Sequence, residues 1–177
     1  MIDQSGKTVW ITGASSGIGE ALAKTFVANG GSAVLSGRNL AELQRVADET
    51  GAAERCLILP FDTQDFACLP AMVDKALNFQ GQVDVLVNNA GISQRSLAVE
   101  TDFAVYERIV GVDLLAPIAL TQALLPHLLA RGAGQLVMIS SVAGKAGVPM
   151  RTAYCAAKHG LIGYSDALRS EVAGQGV

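Results

Sequence analysis

The sequence predicts an α/β fold, one doubly wound parallel sheet in the order 3-2-1-4-5 with helices on both faces. Three observations carry the prediction. Short apolar runs alternate with helix-period patterns along all 177 residues. Half of the residues are apolar and only 16% are charged, which suits strands buried on both faces. The first apolar run also passes through a glycine-rich turn into a helical pattern. Right-handed crossovers then gather the carboxyl ends of the strands on one side, where a ligand cleft forms.

The first strand covers residues 7–12, followed by Gly13-Ala-Ser-Ser-Gly17-Ile-Gly19 and a helix to Asn29. Glycine leaves room for a pyrophosphate to approach the backbone, and the helix N-terminus attracts its charge. A tight strand-to-helix turn is the plainer reading, but the context on both sides favours dinucleotide binding. The second strand, Ser32–Ser36, ends in Gly37-Arg38-Asn39 before a helix over Leu40–Glu49. Sites that prefer NAD(H) place an acid here to hold the ribose 2′-OH. Arg38 instead suits a 2′-phosphate, so NADP(H) is expected over NAD(H).

Residues 55–61 form the third strand, with Asp62-Thr63 as its polar exit. Asp62 can accept from an adenine amino group or cap a helix beginning near Gln64. The fourth strand, 83–87, ends in Asn88-Asn89-Ala90-Gly91, where two amides can tie strand ends together while Ala90 and Gly91 leave space for a sugar; the alternative is a simple turn. A long helical pattern over 101–130 is interrupted by Pro117 and Pro126. Pro117 lacks an N–H, which frees the carbonyl of Asp113, and an unpaired carboxylate is costly among Val112, Leu114 and Leu115. Asp113 and that carbonyl are therefore expected to face the cleft and hold a water beside Lys158.

The fifth strand, 135–139, opens the stretch from Ser140 to Lys158, and a helix follows over 154–172. Tyr154 and Lys158 stand four apart and share a helix face. An ammonium beside a phenol favours the phenolate, the form a proton acceptor needs. Ser141, at the strand end, can donate to the atom that Tyr154 protonates. A solvated helix face is the alternative when this pair is taken alone.

The composition excludes several classes. The length fits one domain. A net charge of −3 leaves no basic footprint for nucleic acid or an anionic membrane. Residues 1–7 lack the basic start and apolar core of a signal peptide. The longest apolar stretch, 110–130, contains Asp113, Pro117, Gln122, Pro126 and His127, so no bilayer-spanning run is expected. Cys56, Cys68 and Cys155 have no metal-ligand spacing and read as free thiols of a cytoplasmic protein without a metal site.

Together, Thr12-Gly-Ala-Ser-Ser-Gly-Ile-Gly19, Asn88-Asn-Ala-Gly91, Ser141 and Tyr154-Cys-Ala-Ala-Lys158 resemble the short-chain dehydrogenases/reductases, over the whole chain. The resemblance implies a Rossmann fold and hydride exchange between NADP(H) and a small carbonyl or secondary alcohol. Tyr154 would be the general acid/base, Ser141 would polarise the carbonyl, and Lys158 would bind the nicotinamide ribose and favour the phenolate of Tyr154. Gly13, Ser15, Ser16, Gly17, Ile18, Gly19, Arg38, Asp62, Thr63, Asn88, Ala90 and Gly91 would hold the cofactor with Tyr154 and Lys158. The stretches Gly91-Ile-Ser-Gln-Arg-Ser96 and Leu125-Pro126-His127 look closest to the branch acting on apolar carbonyls.

Two departures stand out. The family usually has Asn where Asp113 stands in the catalytic group. It also continues past Val177 with further strands and a substrate-covering segment, so the chain reads as a piece of one of about 250 residues, with its fifth strand an open sheet edge. These departures leave a second reading, an NADP(H)-binding scaffold without turnover; a sugar-nucleotide epimerase of the related longer branch fits less well. Relatives pair through helices matching 101–130 and 153–173, which implies a homodimer or homotetramer.

Overall fold

The structure, a computed structural model, describes residues 3–177. Met1 and Ile2, part of the segment read above for a signal peptide, lie outside the described residues. Five strands, β1 (Thr8–Thr12), β2 (Ser32–Ser36), β3 (Cys56–Ile58), β4 (Val85–Asn88) and β5 (Gln135–Met138), form one sheet in the order β3-β2-β1-β4-β5. Every pairing is parallel, as the alternation of apolar runs and helices predicts.

β1 is buried along its whole length because it lies at the centre of the sheet. Ile11 packs on one face with Val27, Leu35 and Val46, while Trp10 packs on the other with Leu86, Leu120 and Leu124. The Trp10 indole N–H donates to Ser36 Oγ at 2.8 Å, so the one polar atom of this buried ring is paired. α1 (Gly17–Ala28) and α2 (Leu40–Glu49) pack on the Ile11 face; α3 (Leu69–Gln80) and α5 (Ala116–Arg131) pack on the Trp10 face.

The third strand is shorter than predicted. Pro60 has no N–H to give to the ladder, but Leu59 and Phe61 on either side still donate to Leu35 O and Gly37 O. The helix expected near Gln64 begins only at Leu69, after a 3₁₀ turn over Phe66–Cys68, with Pro70 in its first turn. A first-turn proline needs no intrahelical donor, so the helix starts where Pro70 is tolerated.

The prolines and Asp113 do not break the 101–130 pattern. α4 (Phe103–Val110) runs through a π-helical turn, Gly111–Leu115, into α5. The wider turn moves the hydrogen-bond ladder on by one residue, and the Ala116 N–H donates to Gly111 O. The resulting helix, Phe103–Arg131, is long and apolar enough to cross a membrane by length and composition, with a mean hydropathy of 1.7 over an 18-residue window. That corrects the expectation that no such stretch exists. In this fold Leu120, Leu124 and Leu128 turn it into the core. α6 (Thr152–Val172) follows β5, which stands at the sheet edge.

Candidate active site

The turn after β1 is built by close approaches that only glycine permits. Gly13 lies at φ +64°, and a Cβ there would come within 2.9 Å of Ala90 Cα. At Gly19 a Cβ would sit 2.7 Å from Asn89 Nδ2. Gly17, at φ +57° with open space around it, turns the chain into α1. Ser16 is the N-cap and its side chain makes no capping bond, so the first N–H groups of α1 stay available to an anion. Replacing Gly19 with Ala should drive Cβ into Asn89 and lower stability by about 1–3 kcal/mol. It should also weaken dinucleotide binding; chemical denaturation and a binding titration check the two effects.

The Asn-Asn pair ties the strand ends together, as expected, but its two members divide the work. Asn89 donates from Nδ2 to Thr12 O at 3.0 Å and Gly13 O at 3.1 Å. Thr12 Oγ1 accepts from Asn89 N and Ala90 N, both at 3.1 Å. Asn88 is buried, donates from Nδ2 to Thr121 Oγ1 at 3.0 Å, and accepts on its carbonyl from Ile139 N–H. Its side chain binds strand to helix and does not line the cleft, whereas Asn89 does.

That cleft, about 390 Å³, lies over the carboxyl ends of β1, β2 and β4. Its lining takes in Gly13, Ser15, Ser16, Ile18, Arg38, Asp62, Thr63, Ala90 and Gly91. Phe61, Ile92, Arg108 and Val112 join them; Arg108 carried no signal in the sequence, because only the fold brings α4 over the turn. Arg38 is exposed and in no ion pair among the described residues. Arg45 is instead held by Glu20, Glu42 and Glu49 at 2.8–3.0 Å and is not free for a phosphate. Asp62 Oδ1 accepts from Gln64 N at 3.0 Å, closing a local turn, so it caps no helix. A second cleft of about 360 Å³ opens between β5 and α6, lined largely by apolar groups such as Leu136, Met138, Leu161 and Leu168. It lacks the turn's donors, so the first cleft is the one suited to a dinucleotide.

The expected catalytic group lies past the Gly91–Ile92 end of the first cleft. α6 starts two residues before Tyr154 and brings Tyr154 and Lys158 onto one face, with Nζ 5.6 Å from the phenol ring centroid. Gln94, which the sequence did not single out, accepts from Tyr154 N at 3.2 Å and so satisfies a first-turn donor of α6. Lys158 is 4% exposed and donates from Nζ to Ile139 O at 3.0 Å. Ser141 Oγ accepts from Ala143 N at 3.2 Å. That bond uses a lone pair and leaves the hydroxyl proton to donate elsewhere.

Asp113 meets Lys158 through its side chain. The residue is fully buried. Its Oδ1 accepts from Ile92 N at 2.8 Å, and Oδ2 lies 3.2 Å from Lys158 Nζ, as an ion pair rather than an aligned hydrogen bond. The π-helical turn accounts for the placement, since it directs Asp113 inward against α6. Burial raises the Asp113 carboxyl above its ordinary range; the Ile92 N–H and the Lys158 charge act against that rise. Because a Cβ on Gly91 would stand 3.0 Å from Asp113 Oδ2, this carboxylate joins the dinucleotide cleft to the Tyr154–Lys158 face.

The chain is similar to known proteins throughout. It is 42% identical over 170 residues to human dehydrogenase/reductase SDR family member 7, covering 93% of this chain and 50% of that protein. It thus spans about half the length of the curated relatives it matches. A short-chain dehydrogenase from Streptomyces avermitilis superposes with a TM-score of 0.92 at 34% identity, covering 99% of this chain and 64% of that one. A metagenomic short-chain oxidoreductase solved in complex with NADP gives 0.91 at 33% identity, over 97% and 78% of the two chains. With the short chain dehydrogenase family model matching residues 7–177, and the glycine turn, parallel sheet and Tyr154–Lys158 face in place, the chain belongs to the short-chain dehydrogenase/reductase family of oxidoreductases.

Proposed function

We propose that the chain interconverts a carbonyl and a secondary alcohol with NADP(H), using Tyr154 as the acid/base. The observation that carries this reading is the buried Lys158, fixed by Ile139 O and Asp113 beneath the Tyr154 ring. The cofactor fits the cleft on three counts: the steric room kept by Gly13 and Gly19, the free N–H groups of α1, and Arg38 at the end of β2. The structurally similar metagenomic enzyme that binds NADP supports the choice. Bound there, NADP(H) supplies or accepts the hydride.

The remaining work belongs to the chain. The Gly13–Gly19 turn holds the pyrophosphate, Arg38 the 2′-phosphate, and Asp62 with Thr63 the adenine side. Ala90 and Gly91 leave space for the sugar. In reduction, Ser141 Oγ–H donates to the carbonyl oxygen and Tyr154 Oη gives it a proton; in oxidation, both steps reverse. Lys158 holds its ammonium near the Tyr154 ring and reaches toward the nicotinamide ribose. Asp113 acts through Lys158: it fixes the ammonium and, by accepting from Ile92 N, fixes the wall that follows Gly91. Pairing through the Phe103–Arg131 helix and α6 into a dimer or tetramer belongs to the same proposal.

NADPH consumption with a panel of ketones and aldehydes tests the reaction. Turnover lost on Ser141→Ala and Tyr154→Phe supports the reading, and turnover unchanged in both contradicts it. Arg38→Ala tests the phosphate assignment separately. A charge-assisted bond is worth about 1.5–3 kcal/mol, so NADP+ affinity should fall roughly tenfold to a hundredfold. NAD+ affinity should stay as it was, and calorimetric titration with each nucleotide reads the difference.

A further inference from the structure

The two loops flanking Tyr154 carry three cations. The loop between β4 and α4 contains Arg95, with Glu100 and Asp102 at its far end; residues 139–151, leading into α6, contain Lys145 and Arg151 and no acid. Among the described residues none of these cations forms an ion pair. For Arg95 and Lys145, which are exposed, water suffices. Arg151 is different. It is half-buried, and its Cζ lies 6.0 Å from the centroid of the Tyr154 ring. Its one side-chain hydrogen bond among the described residues is from Nη1 to Ser93 Oγ at 2.7 Å. A guanidinium offers five donors, and those that Ser93 does not take stay open beside the Tyr154 ring to a ligand or to water.

The backbone that delivers Arg151 is also out of the ordinary. Met150, at φ 63°, is the one non-glycine residue with positive φ among the described residues. Its carbonyl is held by Ser96 N–H at 3.1 Å, which ties the two loops together. Strain of this kind persists where the surroundings fix it, and it gathers at binding sites. Leu97, Val99 and Val142 lie exposed on the same loops and offer an apolar flank beside the cation.

We propose that Arg151, oriented by Ser93, is an anion-binding subsite next to Tyr154, and that the carbonyl substrate carries a carboxylate. A single half-buried guanidinium with a free donor fork matches one planar, singly charged oxyanion better than a doubly charged phosphate. The carboxylate adds one charged end to the small apolar carbonyl substrate that the family resemblance implies. This inference rests on Tyr154 being the proton-handling group.

The test compares acetoacetate with its methyl ester, with NADPH, in the parent chain, Arg151→Ala, Arg151→Gln and Arg151→Lys. The parent should favour the free acid in kcat/KM. Arg151→Ala should lose roughly tenfold to a hundredfold on the acid, through KM, with the ester unchanged. Arg151→Gln, which can still reach Ser93, should behave like Ala, while Lys should recover part of the loss. A purely structural arginine would lower both substrates together. That result, or a parent preference for the ester, overturns the proposal while leaving the reductase reading intact. If neither compound is turned over, the panel of ketones and aldehydes decides that reading separately. Calorimetric titration of the NADP+-saturated chain with acetoacetate then decides the subsite: binding weakened about tenfold by Arg151→Ala supports it, and no Arg151-dependent binding overturns it.

Discussion

Tyr154→Phe should reduce turnover by about 10²–10⁴-fold, the range expected for loss of a positioned acid/base, while leaving thermal stability where it was. The separation follows from how the ring is held. Tyr154 packs with Ile109, Ala153 and Ala157 through its apolar face, and its main-chain N–H is held by Gln94. The phenylalanine ring keeps both, and the phenol oxygen has no hydrogen-bond partner among the described residues whose loss would unsettle the fold. Steady-state kinetics beside a melting curve checks both halves. A variant that melts early would show that the hydroxyl has a structural part, and one that keeps its turnover would remove Tyr154 from the chemistry.

Lys158→Met should damage the protein twice over. Turnover should fall as for Tyr154, because the ammonium held near the phenol ring is gone. The fold should also lose about 3–5 kcal/mol, the usual result of stripping a buried carboxylate of its partner. The deficit should depend on pH in a defined direction. The buried Asp113 carboxyl is raised above its ordinary 3.8, so its protonated form is the one the fold favours. The Asp113 contribution to stability is therefore fully present below 3.8 and is lost as pH rises through the raised value. Lys158→Met should sit nearest the parent in acid and fall away toward neutrality. Adding Asp113→Asn should restore most of the stability but not the turnover, and denaturant unfolding of the single and double variants measures this coupling directly.

Much of this was legible in the sequence because it rests on local rules. The β2 and α2 boundaries follow from an apolar run bounded by glycines and from Asn39, whose side chain accepts from Glu42 N. The glycine turn was legible because backbone approach to phosphate demands glycine at fixed offsets, and Tyr154 with Lys158 because four residues make one helical face. What stayed hidden depends on tertiary packing. The sequence paired Asn88 with the cofactor, yet the sheet turns that amide toward Thr121 and gives the cleft to Asn89. Asp113 was marked as costly, but its direct meeting with Lys158 needed a π-helical turn that no periodicity announces. Arg108 and Gln94 carried no local signal, since each acquires its place from an element distant in the chain. Asp62 had two readings, and the turn it closes with Gln64 removed one of them.

Everything proposed for catalysis presumes that NADP(H) occupies the cleft over β1, β2 and β4. A thermal-melt titration of the chain with NADP+ and, separately, with NAD+ tests that most directly. Ligand at a hundredfold over its Kd contributes about 2.7 kcal/mol, worth roughly 2–4 °C for each kcal/mol in a domain of this size. The account predicts a clear rise with NADP+, a much smaller one with NAD+, and loss of the difference in Arg38→Ala. A flat response to both nucleotides, or a larger rise with NAD+, would contradict it.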